Sequence, residues 1–211
     1  MNTQLDVIPL AKPVIGPREE ELVLEVLRSG QLSLGPRVPA FEEAFAARLG
    51  ALHASAVSSG TAGLHLALRA AGVTDGDEVV TSPFSFVASA NVCVFERARP
   101  VFADIDPVTL NLDPDAAAAA ISGRTTALLP VHIFGYPADL PAFERHGLPI
   151  VEDACERNIP ASSESTSASH DASITFSCTP IAPQVSVPSE ASSSTRVTAA
   201  VALASSRMRT L

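Results

Sequence analysis

The sequence is poor in lysine. Of 14 basic residues in 211, only Lys12 is a lysine, and residues 13–211 contain none. Chemistry that needs a side-chain amine beyond the first dozen residues is excluded, Schiff-base formation above all. Tryptophan is absent and tyrosine occurs once, at Tyr136. Cys93, Cys155 and Cys178 are too few and too scattered for a metal site or a disulfide framework. No apolar run approaches the roughly 20 residues that a membrane helix needs. The start, MNTQLDVIPL, has neither the basic first region nor the apolar core of a signal peptide. Positive charge is scarce as well: the net charge is −9 and the pI about 4.9, which gives no electrostatic pull toward nucleic acid or anionic lipid. These absences lead to the expectation of a soluble, cytoplasmic protein with no nucleic-acid or membrane partner.

What is present divides in two. Residues 1–156 carry 20 acidic and 10 basic side chains and show clean periodicity and turn chemistry. Residues 157–211 carry 3 acidic and 4 basic side chains, and 14 of these 55 residues are serine. Low-complexity Ser/Ala/Pro/Thr text buries too little apolar surface to order itself, so this tail is expected to be disordered. In the first part, strands are predicted over 54–58, 78–81, 100–105, 127–133 and 149–151. Helices are predicted over 61–71, 84–96, 113–121 and 141–146, after two earlier ones that begin at Pro17 and Pro39 and stop at Gly30 and Gly50. Strands separated by helices need crossover connections, so the fold class is α/β with a mostly parallel sheet flanked by helices.

Open parallel sheets bind ligands beyond the carboxyl ends of their strands, and three features fall there. Ser58-Ser59-Gly60-Thr61-Ala62-Gly63 joins a strand to a helix with small residues, so free N–H groups and the helix dipole favour a phosphate, and Thr61 adds a hydroxyl. Such a turn also occurs for structural reasons alone. Phe86, after the strand that ends at Thr81, could lie over a planar ring or pack in the core. Asp153 follows the apolar strand 149–151; it suits a protonated ring nitrogen, or else is a surface acid or a helix N-cap. Taken together, the three describe a pyridoxal-phosphate pocket. A nicotinamide-type nucleotide domain is disfavoured, because no GxGxxG turn follows the first strand.

The wording LEVLRSGQLSLGPRVPAFEEAFAARLG, SSGTAGLHLALRAAGV, GDEVVTSPFSFVASAN, RPVFADIDPVTLNLDP, LLPVHIFGYPADL and HGLPIVEDACE, over residues 8–156, resembles the DegT-type (DegT/StrS) nucleotide-sugar aminotransferases. The resemblance implies the large-domain portion of the fold-type I pyridoxal-phosphate aminotransferase fold. It implies that Gly60, Thr61 and Ala62 hold the cofactor phosphate, that Phe86 stacks on the pyridine ring and that Asp153 pairs with the ring nitrogen. Glu156 matches a position, often glutamine, beside the cofactor's 3-hydroxyl. Members of the family transfer an amino group from glutamate to a keto-sugar nucleotide and work as homodimers.

The family pattern then reaches a Schiff-base lysine roughly thirty residues past the acid. Phe176-Ser177 stands near the right place, but residue 182 is Ala182, and Glu190-Ala191-Ser192-Ser193-Ser194 replaces the glycine- and valine-rich run. Valine codons such as GTC read one base out of register give serine, so residues 157–211 are expected to be out-of-frame translation from near Glu156. The predicted protein is thus a cofactor-binding domain over 1–156 and a tail over 157–211. It is a truncated aminotransferase, inactive for want of its lysine, that binds pyridoxal phosphate without a covalent bond. The alternative is a non-catalytic cofactor or sugar-nucleotide module that pairs with an intact homologue. His170 lies too early to replace the lysine, Lys12 precedes the first helix, and His132 is expected to be a packed core histidine.

Overall fold

The structure, a computed structural model, describes residues 15–49, 51 and 53–155 and the strand segments 173–176 and 199–203. Two compact units are present, Met1–Ala40 and Phe41–Leu211. In the first, α1 (Pro17–Ser29) starts on a proline at N1, and the Glu19 carboxylate accepts the Gly16 N–H at 2.7 Å. It stops where Gly30 takes φ +72°, a left-handed cap that glycine adopts without a Cβ penalty. Helix α2 (Arg37–Leu49) begins in the first unit and runs on into the second.

The second unit is built on a sheet of seven described strands, all paired in parallel. They are β1 (His53–Val57), β2 (Glu78–Thr81), β3 (Arg99–Phe102), β4 (Thr125–Leu129), β5 (Ile150–Asp153), β6 (Ser173–Phe176) and β7 (Ala199–Leu203), in the spatial order β1-β7-β6-β5-β4-β2-β3. Helices α3 (Gly60–Ala70), α4 (Ala88–Phe95), α5 (Pro114–Ala120) and α6 (Leu140–Glu144) complete the unit. Consecutive strand residues face opposite layers, so each central strand feeds two cores. Val79, Ala127, Leu129 and Val151 pack with Leu64, Leu68 and Val92 of α3 and α4. Val80, Leu128 and Ile150 pack with Ala117 of α5 and Phe143 of α6. Among the described residues, no helix is long and apolar enough to cross a membrane.

Three differences from the sequence expectations bear on the site. Residues 157–211, expected to be disordered, supply β6 and β7. The first pairs with β5 from Ile150↔Ser173 to Asp153↔Phe176, and the second pairs with β1 from His53↔Ala199 to Val57↔Leu203. β6 alternates polar and apolar residues and β7 is an apolar run, and pairing satisfies N–H and C=O groups that β5 and β1 would otherwise leave at open edges. Second, the helix predicted from Phe84 begins only at Ala88. Pro83 interrupts the chain, and the Ser82 hydroxyl accepts the Phe84 N–H at 3.0 Å, which holds 82–87 as a loop. Third, the strand predicted over 127–133 ends at Leu129. Pro130 has no N–H for the ladder, and Ile133–Gly135 turns instead as a short 3₁₀ helix with Phe134 at φ +50°.

Candidate cofactor site

The candidate residues lie where β1, β2, β4 and β5 end. After β1, the Ser59 hydroxyl caps α3 by accepting the Ala62 N–H at 3.1 Å, and the Ser59 carbonyl accepts from Gly63 N–H at 3.1 Å. The N–H groups of Gly60 and Thr61 and the Thr61 hydroxyl have no partner among the described residues. Of the three residues expected to hold a phosphate, Gly60 and Thr61 thus offer open donors, whereas the Ala62 amide is already engaged by Ser59. The helix packs across β1, β7, β6 and β5, and Leu64, one turn in, shares its core cluster with Val151 and Cys155. The first turn of α3 is therefore anchored on the same core as the end of β5.

After β2, the loop 82–87 presents Phe86 with 76% of its surface exposed. Phe86 is not a core residue, the commoner fate of a phenylalanine. Phe84 meets Phe134 edge to face at 6.1 Å, and Phe134 and Tyr136 are exposed on the loop after β4. That loop is shaped by buried Asn111, whose Oδ1 accepts the Ile133 N–H at 3.0 Å and whose Nδ2 donates to the Tyr136 carbonyl at 3.1 Å. A left-handed non-glycine residue is costly, and these two bonds clasp the turn on either side of Phe134.

At the end of β5, Asp153 is 6% exposed, and both its carboxylate oxygens receive hydrogen bonds. Oδ2 accepts from the Ser89 hydroxyl at 3.2 Å and Oδ1 from the Cys155 N–H at 3.3 Å. Its main chain is pinned as well: Asp153 N–H donates to the Pro130 carbonyl at 3.0 Å, and His132 N–H donates to the Asp153 carbonyl at 2.9 Å. Beside it, Glu152 is buried against His132, which is fully buried, as the sequence predicted. The Ala138 N–H donates to His132 Nδ1 at 3.0 Å, so a neutral ring carries its proton on Nε2 and donates it to Glu152 Oε2 at 3.1 Å. Glu156, Ala182 and Lys12 lie outside the described residues. Ser89, Ser85, Asn111 and the His132–Glu152 pair were not singled out as site residues from the sequence. The i, i+4 spacing of Ser85 and Ser89 ahead of an apolar helix was the available signal.

The opposite, amino edge of the sheet carries an ionic cluster instead. Glu78, the first residue of β2, accepts from the Ser122 hydroxyl at 2.6 Å and from the guanidinium groups of Arg124 and of Arg99, the latter at 2.7 Å. The Ser122 bond and then Arg124 hold its carboxyl down at about 2. Among the described residues no group of His, Cys, Asp and Glu side chains could hold a metal ion.

A parallel sheet covered by helices on both faces, with amides unpaired among the described residues, an exposed aromatic ring and a buried carboxylate at its carboxyl edge, is the architecture of a doubly wound α/β protein, whose ligands bind at that edge. Over residues 13–177 the chain matches the model of the DegT/DnrJ/EryC1/StrS aminotransferase family, and it belongs to that family. It is 50% identical over 151 residues to the spore coat polysaccharide biosynthesis protein SpsC of Bacillus subtilis (strain 168), covering 70% of this chain and 39% of that protein. Among solved structures, the aminotransferase TlmJ from Streptoalloteichus hindustanus superposes with a TM-score of 0.65 at 40% identity, over 72% of this chain and 43% of TlmJ. NtdA from Bacillus subtilis, solved with bound cofactor PMP, superposes with a TM-score of 0.63 at 33% identity, over 69% of this chain and 35% of NtdA. The chain spans about two-fifths of the length of these relatives. Its fold is that of the fold-type I aminotransferases, and the cofactor that the family implies is pyridoxal phosphate.

Proposed function

We propose that residues 1–156 form the cofactor-binding portion of a nucleotide-sugar aminotransferase, and that this chain binds pyridoxal phosphate without a covalent bond and does not complete transamination. The observation that carries the reading is Asp153: a buried acid at a strand's carboxyl end, with one donor on each oxygen and lone pairs left to accept a ring N–H. The donor set fits the group. The Gly60 and Thr61 amides and the Thr61 hydroxyl would take the phosphate, and Phe86 would cover the ring. Glu156 would stand beside the 3-hydroxyl.

When bound, the cofactor supplies an aldehyde to receive the amino group and a protonated ring to draw electrons from the carbon that loses its proton. Asp153 keeps that proton on the ring nitrogen, because an ionised carboxylate there favours the charged form of its partner. Ala182, which stands where the family pattern has its lysine, offers no side-chain group to carry a proton between the reacting carbons. In the family's reaction, glutamate gives its amino group to a keto-sugar nucleotide, and a homodimer is the working form proposed here.

Borohydride reduction of the pyridoxal-phosphate complex, followed by peptide mass spectrometry, tests the reading. The expected result is saturable cofactor binding, no adduct within residues 13–211 and no amino transfer from glutamate. A stoichiometric adduct accompanied by turnover overturns the claim of inactivity, and absence of cofactor binding overturns the claim of a cradle.

A further inference from the structure

We infer that Ser89 is a positioning residue that clips the Phe86 loop and the Asp153 carboxylate to one point. The inference rests on the cofactor reading above, which gives both residues a ligand to face. Ser89 lies in α4, 2% exposed, on a helix face shared with Ala88, Val92 and Cys93. A hydroxyl buried among such neighbours costs about 1–3 kcal/mol unless it is hydrogen-bonded. The usual resort of a serine within a helix is the carbonyl four residues back. Ser89 instead places its Oγ 3.1 Å from the Ser85 hydroxyl and 3.2 Å from Asp153 Oδ2.

An ionised carboxylate only accepts, so Ser89 must donate to Asp153, and Ser85 must then donate to Ser89. Every proton in the chain Ser85–Ser89–Asp153 has one direction. Ser89 also donates its backbone N–H to the Phe86 carbonyl at 3.2 Å. One residue thus holds the acid with its side chain and the loop of the exposed ring with its main chain, across 64 positions of sequence. With the Cys155 N–H on Oδ1, the carboxylate is held on both oxygens, and its remaining lone pairs face a set direction.

The test compares two probes on the whole chain: pyridoxal phosphate, and its carbon analogue in which a C–H replaces the ring nitrogen. The unaltered chain should bind the former more tightly, and Asp153→Ala, which leaves no hydrogen-bonding group opposite the ring nitrogen, should erase the difference. Ser89→Ala should narrow the ratio of the two dissociation constants by about 3- to 10-fold, the worth of one hydrogen bond, while leaving the affinity for the carbon analogue unchanged. Ser89→Thr should restore it. Ser85→Ala, a milder change in a partly exposed residue, should narrow the ratio in the same direction and serves if Ser89→Ala does not fold. Equal weakening of both probes, or no change in their ratio, overturns the inference. A wild-type chain that binds pyridoxal phosphate without preferring it over the analogue overturns the role of Asp153, and this inference with it.

Discussion

Replacing His132 by phenylalanine should be among the costliest single changes in this chain. His132 is fully buried and serves two groups at once: its Nδ1 accepts the Ala138 N–H at 3.0 Å, and its Nε2 bonds Glu152 at 3.1 Å. Phenylalanine keeps a ring in the space but offers neither function. The Ala138 amide, itself buried, is left without this acceptor, at about 1–3 kcal/mol. The Glu152 carboxylate loses a donor, and a hydrogen bond to a charged group contributes about 1.5–3 kcal/mol. The two losses share one ring and do not add fully, so the expected cost is about 2–5 kcal/mol.

Urea denaturation reads the cost directly. With m of about 2 kcal/mol/M, the midpoint should fall by about 1–2.5 M. His132→Gln, which retains both a donor and an acceptor, should lose less than half as much. A loss below about 1 kcal/mol for the phenylalanine variant, or equal losses for the two, would mean that the pair's hydrogen bonds contribute nothing net, against the general rule for buried polar groups.

Four further outcomes are expected. The Glu78 carboxyl is held at about 2 against an ordinary value of 4.5, so its contribution to stability is complete above pH 4.5 and is lost as the pH falls toward 2; Glu78→Gln should lower the urea midpoint at neutral pH and flatten its decline below pH 4.5. Burial pushes the Cys93 thiol up to about 11, so mass mapping after iodoacetamide treatment at neutral pH should find Cys93 unmodified in the folded chain and modified in urea. Phe86→Ala should weaken pyridoxal-phosphate binding by about 2- to 12-fold, the worth of one stacked aromatic pair, without shifting the urea midpoint, because the ring is mostly exposed. Sequencing of the gene should reveal a lysine motif in another frame downstream of the break expected near Glu156; an uninterrupted frame with no such motif removes the explanation.

The layered α/β fold was legible because its signals are local. Proline at the start of α1, glycine at its end and the acids of its first turn mark the helix without any tertiary knowledge. The strand 78–81 is predicted at its observed limits, since the β-branched run Val79-Val80-Thr81 lies between Gly76-Asp77 and Ser82-Pro83, which admits few alternatives. Phe86, Asp153, Gly60 and Thr61 were chosen because strand-to-helix junctions in parallel sheets all open to one edge. What the sequence could not show is which hydrogen bonds are already spent. Ala62 reads as well as Thr61 for a phosphate donor until Ser59 is seen to cap it. Nor could composition show that two short segments of a serine-rich stretch would pair with β5 and β1, since strand pairing is decided by the partner's open edge and not by the segment alone.

The same distinction separates the two parts of the site. The residues that would touch a cofactor sit at strand ends and helix starts, where sequence spacing alone predicts position. The residues that hold them, Ser89 for Asp153 and Asn111 for the Phe134 turn, act across 64 and 22–25 positions of sequence and use side chains with no pattern of their own. The described hydrogen bonds of Asp153 involve Ser89, Cys155, Pro130 and His132, and its strand also pairs with β6 at Phe176. On the reading proposed above, non-covalent binding and catalysis are separable. Restoring the family's lysine motif downstream should then add covalent capture and turnover while leaving the preference for the ring nitrogen, set by Asp153 and Ser89, as it was. A preference that appears only with the lysine would instead show that the covalent bond, and not the Ser89 clip, orients the ring.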